Sequence, residues 1–266
     1  MQQILIIAWR NLWRNKRRTL ITVASVFFGV VMSSIMASMQ EGQYTMMVRT
    51  IVNFYSGYIQ VHQQGYWDEK TLNNSFVVTD ELNAFLAKNK DVTAHASRLE
   101  SFSLASSNQL TKGVMVMGIE PDNEHKITSI KDKILEGEFV RAGDSSAVIG
   151  SELARYLKLT VGDTLVLIGQ GYHGASAAGK YHIKGIVKHP SPDFNKMIVF
   201  LDLPQAQELF SSYDLNTAKV IMVKDEKAMH RVQGQLKEYL DENHEVMNWM
   251  EMQPLMVQQI EGDRAQ

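Results

Sequence analysis

Residues 19–39 carry no charged side chain, and that run limits what the rest of the chain can be. At ~1.5 Å of rise per residue, about 21 residues of helix span roughly 31 Å, the thickness of a bilayer's hydrocarbon core. A core helix of a soluble protein is rarely uncharged for so long. A cleaved leader has a short basic start and an apolar stretch of only about 7–15 residues. Here residues 1–18 precede the run, and Ile35-Met36-Ala37 makes a poor small-residue cleavage site. The run therefore reads as a retained transmembrane helix.

Charge sets its orientation. Arg10, Arg14, Lys16, Arg17 and Arg18 all lie before the span, and the first acidic residue, Glu41, lies after it. The positive-inside rule then puts the N-terminus in the cytoplasm and everything beyond Met39 outside it. Ahead of the span, Leu5, Trp9, Leu12 and Trp13 share one helical face, and Arg10, Arg14, Arg17 and Arg18 lie largely on another. Residues 1–18 read as an amphipathic elbow on the inner leaflet, with Trp9, Arg10, Trp13, Arg14, Lys16, Arg17 and Arg18 at the membrane interface. Basic residues among aromatics can also bind nucleic acid; beside a transmembrane run, membrane anchoring is the stronger reading.

The remainder is large enough for a sizeable core, as one large or two small domains. Of 27 Lys and Arg, five precede the span, which leaves 22 against 29 Asp and Glu, a balance of −7. That argues against a nucleic-acid partner. The chain has no Cys, so an extracytoplasmic domain is held by its core alone, without thiolate metal sites or Cys nucleophiles.

Helical spacing continues past the span through Gln40, Gln43, Met47, Ile51 and Phe54, which extends the helix as a stalk over 40–54. Beyond it, residues 58–62 alternate as a strand, 65–74 are polar and turn-like, and Thr79 or Asp80 caps a helix with Leu82, Phe85 and Leu86 on one face. Residues 92–105 and 112–119 form two strands about a turn at Ser106-Ser107-Asn108, and Pro121-Asp122-Asn123 breaks the pattern. Strands follow at 134–139, 147–150, 164–168, 181–187 and 197–201, with a short helix from Ser151, a Gly-rich loop over 169–179 and a helix started by Asp202 and Pro204. A strand at 218–223, a helix capped by Asp225 (apolar face Ala228, Val232, Leu236, Tyr239, Leu240) and a strand at 244–249 close the pattern, and 254–260 begins another helix. Strand–helix–strand thus occurs on both sides of a β-rich segment. This predicts an α+β fold of discontinuous build: a half from residues 55–119 and 216–251, an inserted β-rich half from 120–215, and a second stalk helix starting at 252–266.

Catalytic motifs fail on context. Gly174 to Gly179-Lys180 fits G-x4-G-K, but Tyr181 stands where a P-loop needs Ser or Thr, and the chain continues as a strand rather than a helix. A mobile hairpin tip is the ordinary reading. The eight His are scattered without HExxH spacing. Ser101, Ser103, Ser106 and Ser107 lie in no G-x-S-x-G elbow, and Glu136 and Glu138 read as solvated. The residues call for no cofactor or metal.

Residues 7–19, Ile7-Ala-Trp9-Arg10-Asn-Leu-Trp13-Arg14-Asn-Lys16-Arg17-Arg18-Thr19, resemble the opening of MacB/FtsX-type ABC transporter permeases. Leu135-Glu-Gly-Glu-Phe139, Val148-Ile-Gly-Ser-Glu-Leu-Ala154, Leu157-Lys-Leu-Thr-Val-Gly-Asp163, Ile183-Lys-Gly-Ile-Val187, Val199 to Phe210 and Asn248 to Met252 resemble their extracytoplasmic core and the approach to a second membrane helix. The resemblance, closest to the lipoprotein-release LolC/LolE-like branch, implies a bacterial inner-membrane protein with a periplasmic domain of a porter-like half and an inserted half. It implies three further membrane helices after Gln266. It also implies a non-catalytic permease subunit partnered by an ABC-type ATPase and by a second permease copy or paralogue, acting on a cargo that is expelled or lipid-anchored. In lipoprotein-releasing members the hairpin at 168–181 docks a periplasmic carrier, which points to Gln170, Tyr172, His173 and Lys180; its lack of Pro departs from that pattern.

Two readings compete with a permease. One is a single-span, membrane-anchored interaction or sensor module; the other is a tethered hydrolase, which lacks a nucleophile–base pair or metal set. Under the permease reading, residues 40–54 and 252–260 enter the bilayer side by side and antiparallel. Cysteines at Met47 and Leu255, or at neighbouring positions, should then cross-link under mild oxidation; a scan without any cross-link would sink the stalk pair.

Overall fold

The computed structural model describes residues 6, 9–10, 13–107 and 110–264. Of the expected elbow, Leu5 and Leu12 lie outside these, as do Asn108 of the expected turn and Gln266. Two compact units result, residues 1–49 and 50–266.

The first unit holds most of helix α1, Lys16–Ile51. The chain is helical at Trp13 and Arg14, turns at Asn15 and is helical again from Lys16, with Thr19 N–H donating to Asn15 O at 3.1 Å. No residue of α1 is buried: Phe27 and Phe28 are 66% and 64% exposed. An apolar surface of this extent is unstable in water and suits lipid. Two of its hydroxyls bond inside the helix, Thr22 Oγ1 donating to Arg18 O at 3.1 Å and Ser25 Oγ to Ile21 O at 2.9 Å, as a low-dielectric surrounding favours. Among the described residues, one helical run, Lys16–Ser56, is long and apolar enough to cross a membrane.

The second unit is built on one ten-stranded sheet. In chain order it comprises β1 Ile59–Gln63, α2 Tyr66–Glu69, β2 Phe76–Val77, α3 Asp80–Lys88, β3 Val92–Ser107, β4 Leu110–Ile119 and α4 Pro121–Thr128. Then come β5 Ile134–Gly137, β6 Ser146–Gly150, α5 Ser151–Leu157, β7 Thr164–Gln170, β8 Ser176–Val187, α6 Pro192–Asn195, β9 Ile198–Asp202 and α7 Leu203–Leu209. The last elements are β10 Leu215–Asn216, β11 Ala218–Val223, α8 Glu226–Tyr239, β12 His244–Asn248, α9 Trp249–Met252 and α10 Pro254–Arg264. The strand order is β12-β1-β11-β3-β4-β9-β6-β8-β5; β7 pairs with β3 and β8, while β2 and β10 form a separate ribbon.

The helix caps follow from sequence: Thr79 Oγ1 accepts from Leu82 N–H at 3.2 Å and Asp225 Oδ1 from Ala228 N–H at 2.7 Å. On α8 the buried face is Ala228, Met229, Val232, Gln233 and Leu236, whereas Tyr239 is exposed and stacks on Phe85 at 4.5 Å.

Strands from both flanks of the chain gather at one end of the sheet, and those of residues 134–202 at the other. β3 joins them. Its 16 residues pair with β11 from Val92 to Arg98, with β4 from Arg98 to Ser107, and with β7 from Ser103 to Ser106. The centre is buried on both faces. Val114, Val116, Ile149, Val199 and Leu201 belong to one core, and Met115, Met117, Val148, Ile198 and Phe200 to the other. Residues 114–119, 147–149 and 198–201 are accordingly near-continuous apolar runs.

Three segments depart from the sequence reading. Residues 121–123 start α4 instead of breaking the chain, because Pro121 occupies the first turn, where no N–H is needed. Residues 65–74 are α2 and a 3-10 turn, Leu72–Asn74, which bury Tyr66 and Leu72. The Gly-rich loop is mostly strand: β7 runs on to Gln170 and β8 begins at Ser176. Gly and Ala favour strands poorly, but pairing of β7 with both β3 and β8 overrides that preference.

Leu99, fully buried on β3, contributes to the first core. Leu99→Ala should cost about 2–5 kcal/mol of unfolding free energy in urea titration of the soluble part, the range for a core leucine replaced by a cavity.

Candidate functional site

The helix does not stop where its α-helical bonding stops. Val52–Ser56 forms a π-turn with Gly57 N–H donating to Val52 O at 3.0 Å. Gly57 leaves it at φ 64°, ψ −172°, a conformation open to glycine, and its Cα faces Val220 and Ile221 too closely for a side chain. Every helix end leaves carbonyls without intrahelical partners. Here two are taken by side chains from two places in the sheet unit. Ser56 O accepts from Gln60 Nε2 at 2.7 Å. Tyr55 O accepts from Arg98 Nη1 at 2.5 Å. Nearby, His189 Nδ1 accepts from Ser191 N–H at 3.1 Å.

Arg98 is 0% exposed. Its Nε and Nη2 donate to Glu124 Oε2 and Oε1 at 2.9 and 2.8 Å, a fork on a carboxylate that is itself 1% exposed. Glu100 Oε1 lies 3.7 Å from Arg98 Nη1, and Glu100 Oε2 accepts from Tyr55 Oη at 3.1 Å. Arg98 and Glu100 are two apart on β3 and so face the same side. The Tyr55 ring packs on Phe194 at 4.7 Å, and Phe194 on His189 at 5.3 Å. Thr217 closes the network: its Oγ1 accepts from Glu100 N–H at 2.8 Å, and its carbonyl accepts from His62 Nδ1 at 2.7 Å.

Each ionisable group answers to burial first. Burial raises the Glu100 carboxyl, against Arg98, Lys70 and the Tyr55 hydroxyl. Burial opposes the Arg98 charge, but Glu124, Glu100 and Tyr55 together outweigh it and the guanidinium stays charged. The Tyr55 hydroxyl is pushed well up by burial and then by Glu100. Lys70, with Nζ 2.9 Å from the Trp67 ring centre, is lowered to about 8 by burial. This is a balanced, dry electrostatic joint. Nothing in it makes a nucleophile, and among the described residues no group of three or more His, Cys, Asp or Glu can hold a metal ion.

The residues singled out from sequence lie elsewhere. Trp9, Arg10, Trp13, Arg14, Lys16, Arg17 and Arg18 are exposed at the start of the helix. Trp9 and Trp13 lie 6.0 Å apart, with Lys16 Nζ 5.9 Å from the Trp13 ring. Gln170, His173 and Lys180 are exposed on the β7–β8 hairpin, with Tyr172 half-buried. That tip is not a free loop. Tyr172 N–H donates to Phe210 O at 2.8 Å, His173 N–H donates to Asn73 Oδ1 at 2.9 Å, and Gly171 sits against the Phe210 backbone where a side chain would not fit. The mobile-tip reading is corrected accordingly.

Sequence reasoning missed Tyr55, Arg98, Glu100 and Glu124. A signal existed: Arg98 and Glu100 are charges at period two inside a run read as a strand with a buried face. Charges there are rare unless paired.

The long apolar helix and the sheet unit that follows it define a membrane-tethered domain. Residues 19–239 match the MacB-like periplasmic core domain. The chain belongs to that family, and with it to the permease components of ABC transporters. The extracellular domain of the noncanonic ABC-type transporter YknZ from Gram-positive bacteria superposes with a TM-score of 0.51 at 13% identity, over 72% of this chain and 100% of that one. The periplasmic region of MacB from Actinobacillus actinomycetemcomitans does so at 0.51 and 10%, over 79% and 95%. At such identities the likeness is one of fold. No curated protein matches the chain by sequence.

The joint gives the domain a pH dependence. Burial lowers the His62 pKa from 6.5 to about 4, so the folded chain takes up this proton later than the unfolded chain as pH falls. Stability should therefore decline from about pH 6.5 to about 4, by up to about 3 kcal/mol from this group. Urea midpoints measured across that window should show the decline, and His62→Gln should flatten it.

Proposed function

We propose that the chain is part of a permease subunit of an ABC transporter that couples ATP hydrolysis in the cytoplasm to movement of a periplasmic domain, in lipoprotein release or efflux. The observation that carries this reading is a membrane-length helix ending in a family-specific domain, at a joint built of buried ion pairs and without catalytic groups. The N-terminus is cytoplasmic, the basic elbow from Trp9 to Arg18 lies at the inner leaflet near the ATPase, and the domain is in the periplasm of a bacterial inner-membrane protein. A second permease copy or paralogue completes the transporter, and residues 40–54 and 252–266 form the paired stalk. The β7–β8 hairpin, through Gln170, Tyr172, His173 and Lys180, is the face for a periplasmic carrier or a lipid-anchored cargo.

Affinity purification of the protein encoded by the complete gene, from membranes in mild detergent, is the test. An ABC-type ATPase should co-purify, and its ATP turnover should fall when Arg14, Arg17 and Arg18 are changed together to Glu. Purification without any ATPase would favour a single-span interaction or sensor module instead.

A further inference from the structure

A buried ammonium lies close to Glu100 without a partner of the usual kind. Lys70 closes α2 in a left-handed conformation, φ 51° and ψ 36°, that costs any residue but glycine. Its side chain lies against aromatic rings. Nζ is 2.9 Å from the centre of the Trp67 ring and 5.1 Å from that of Tyr66. The His62 ring completes the wall, stacked on Tyr66 at 5.0 Å and tilted to Trp67 at 5.5 Å. Burial lowers the His62 pKa to about 4, so this third ring is neutral at physiological pH. Carboxylates act on the same point: Glu100, then Glu245 and Asp68, favour a positive charge there. Yet Lys70 Nζ, although buried, has no hydrogen-bond partner among the described residues, and neither has Glu100 Oε1.

An ammonium on aromatic faces gains from the ring quadrupoles, but its N–H donors lose water and here receive no acceptor in return. That loss is what burial imposes on Lys70, lowered to about 8. A cation without N–H groups meets the same rings and the same carboxylates and escapes the loss. Quaternary ammonium is such a cation, and aromatic cages are a general way of binding it. We propose that Tyr66, Trp67 and His62 form a cage for a quaternary ammonium group, filled in this structure by the protein's own Lys70. Displacement exchanges one positive charge for another, so Glu100 keeps a counter-charge while the lysine head returns to water. A primary amine has no such advantage over Lys70, and this sets the selectivity. The cage lies wholly within residues 50–266 and is independent of the permease reading.

Calorimetric titration of the whole 266-residue chain, in maltoside micelles at constant ionic strength, tests the cage with tetramethylammonium and methylammonium chloride. Lys70→Gly empties the cage and suits the left-handed backbone. This variant should bind tetramethylammonium about tenfold or more tighter than the wild type does, and about tenfold or more tighter than it binds methylammonium. Adding Trp67→Leu should weaken tetramethylammonium binding about tenfold or more. Equal affinity of Lys70→Gly for the two cations would reduce the effect to the surrounding carboxylates and overturn the cage. Equal affinity in wild type and Lys70→Gly would overturn it as well, and so would binding that Trp67→Leu leaves unchanged. Absence of binding by folded Lys70→Gly up to about 100 mM has the same meaning. Should Trp67→Leu fail to fold, Overhauser contacts between the tetramethylammonium methyls and the Trp67 indole in Lys70→Gly decide. Their presence supports the cage and their absence overturns it.

Discussion

A guanidinium with no access to water sits at the point where a membrane-length helix enters a sheet. Arg98 can be there only because Glu124 takes two of its donors and the helix end takes a third. Removing any one partner leaves a charge or a carbonyl in a dry place, which is costly in a way that surface pairs are not. The surroundings follow from that constraint. Helix α4 must begin at Pro121 to bring Glu124 under β3. The helix must end in a π-turn to present the Tyr55 carbonyl. Gly57 must follow, because the chain turns against Val220 and Ile221 with no space for a side chain.

The sheet makes this joint matter beyond its own neighbourhood. An antiparallel strand of 16 residues is long by ordinary measure, and its length lets one element pair with β11, β4 and β7. The apolar layers on both faces of β4, β6 and β9 make the centre stiff. The outer half of β3 is different. Phe102, Leu104 and Ile168 stand exposed on the face away from the core, where an antiparallel sheet usually presents polar residues.

Much of this was legible before any coordinates. Thr79 and Asp225 declared two helix starts, alternation declared β1 and β8, strand-like runs declared β3, β4 and β11, and the absence of charge over 19–39 declared the long apolar helix. The misses share one cause. Residues 169–179 are Gly and Ala whose strand conformation comes from pairing with distant β3. Pro121 was read locally as a breaker, though its helix exists because Glu124 and Ile127 have partners on the sheet. The joint itself joins Tyr55, Arg98, Glu124 and His189, far apart in sequence, and no local pattern brings them together.

The sequence by itself determined the long apolar helix and its charge asymmetry, the strand and helix periodicities and the family. These are properties of composition and short-range spacing, which bilayer thickness and backbone geometry convert directly into structure. Only the tertiary structure decided that the flanks and the insert share one sheet through β3 and β4, that the Gly-rich segment is a docked hairpin, and that the helix end is gripped by a buried arginine. Each of these depends on contacts between residues tens of positions apart, whose energy comes from excluding water around a specific pairing rather than from any residue's own preference.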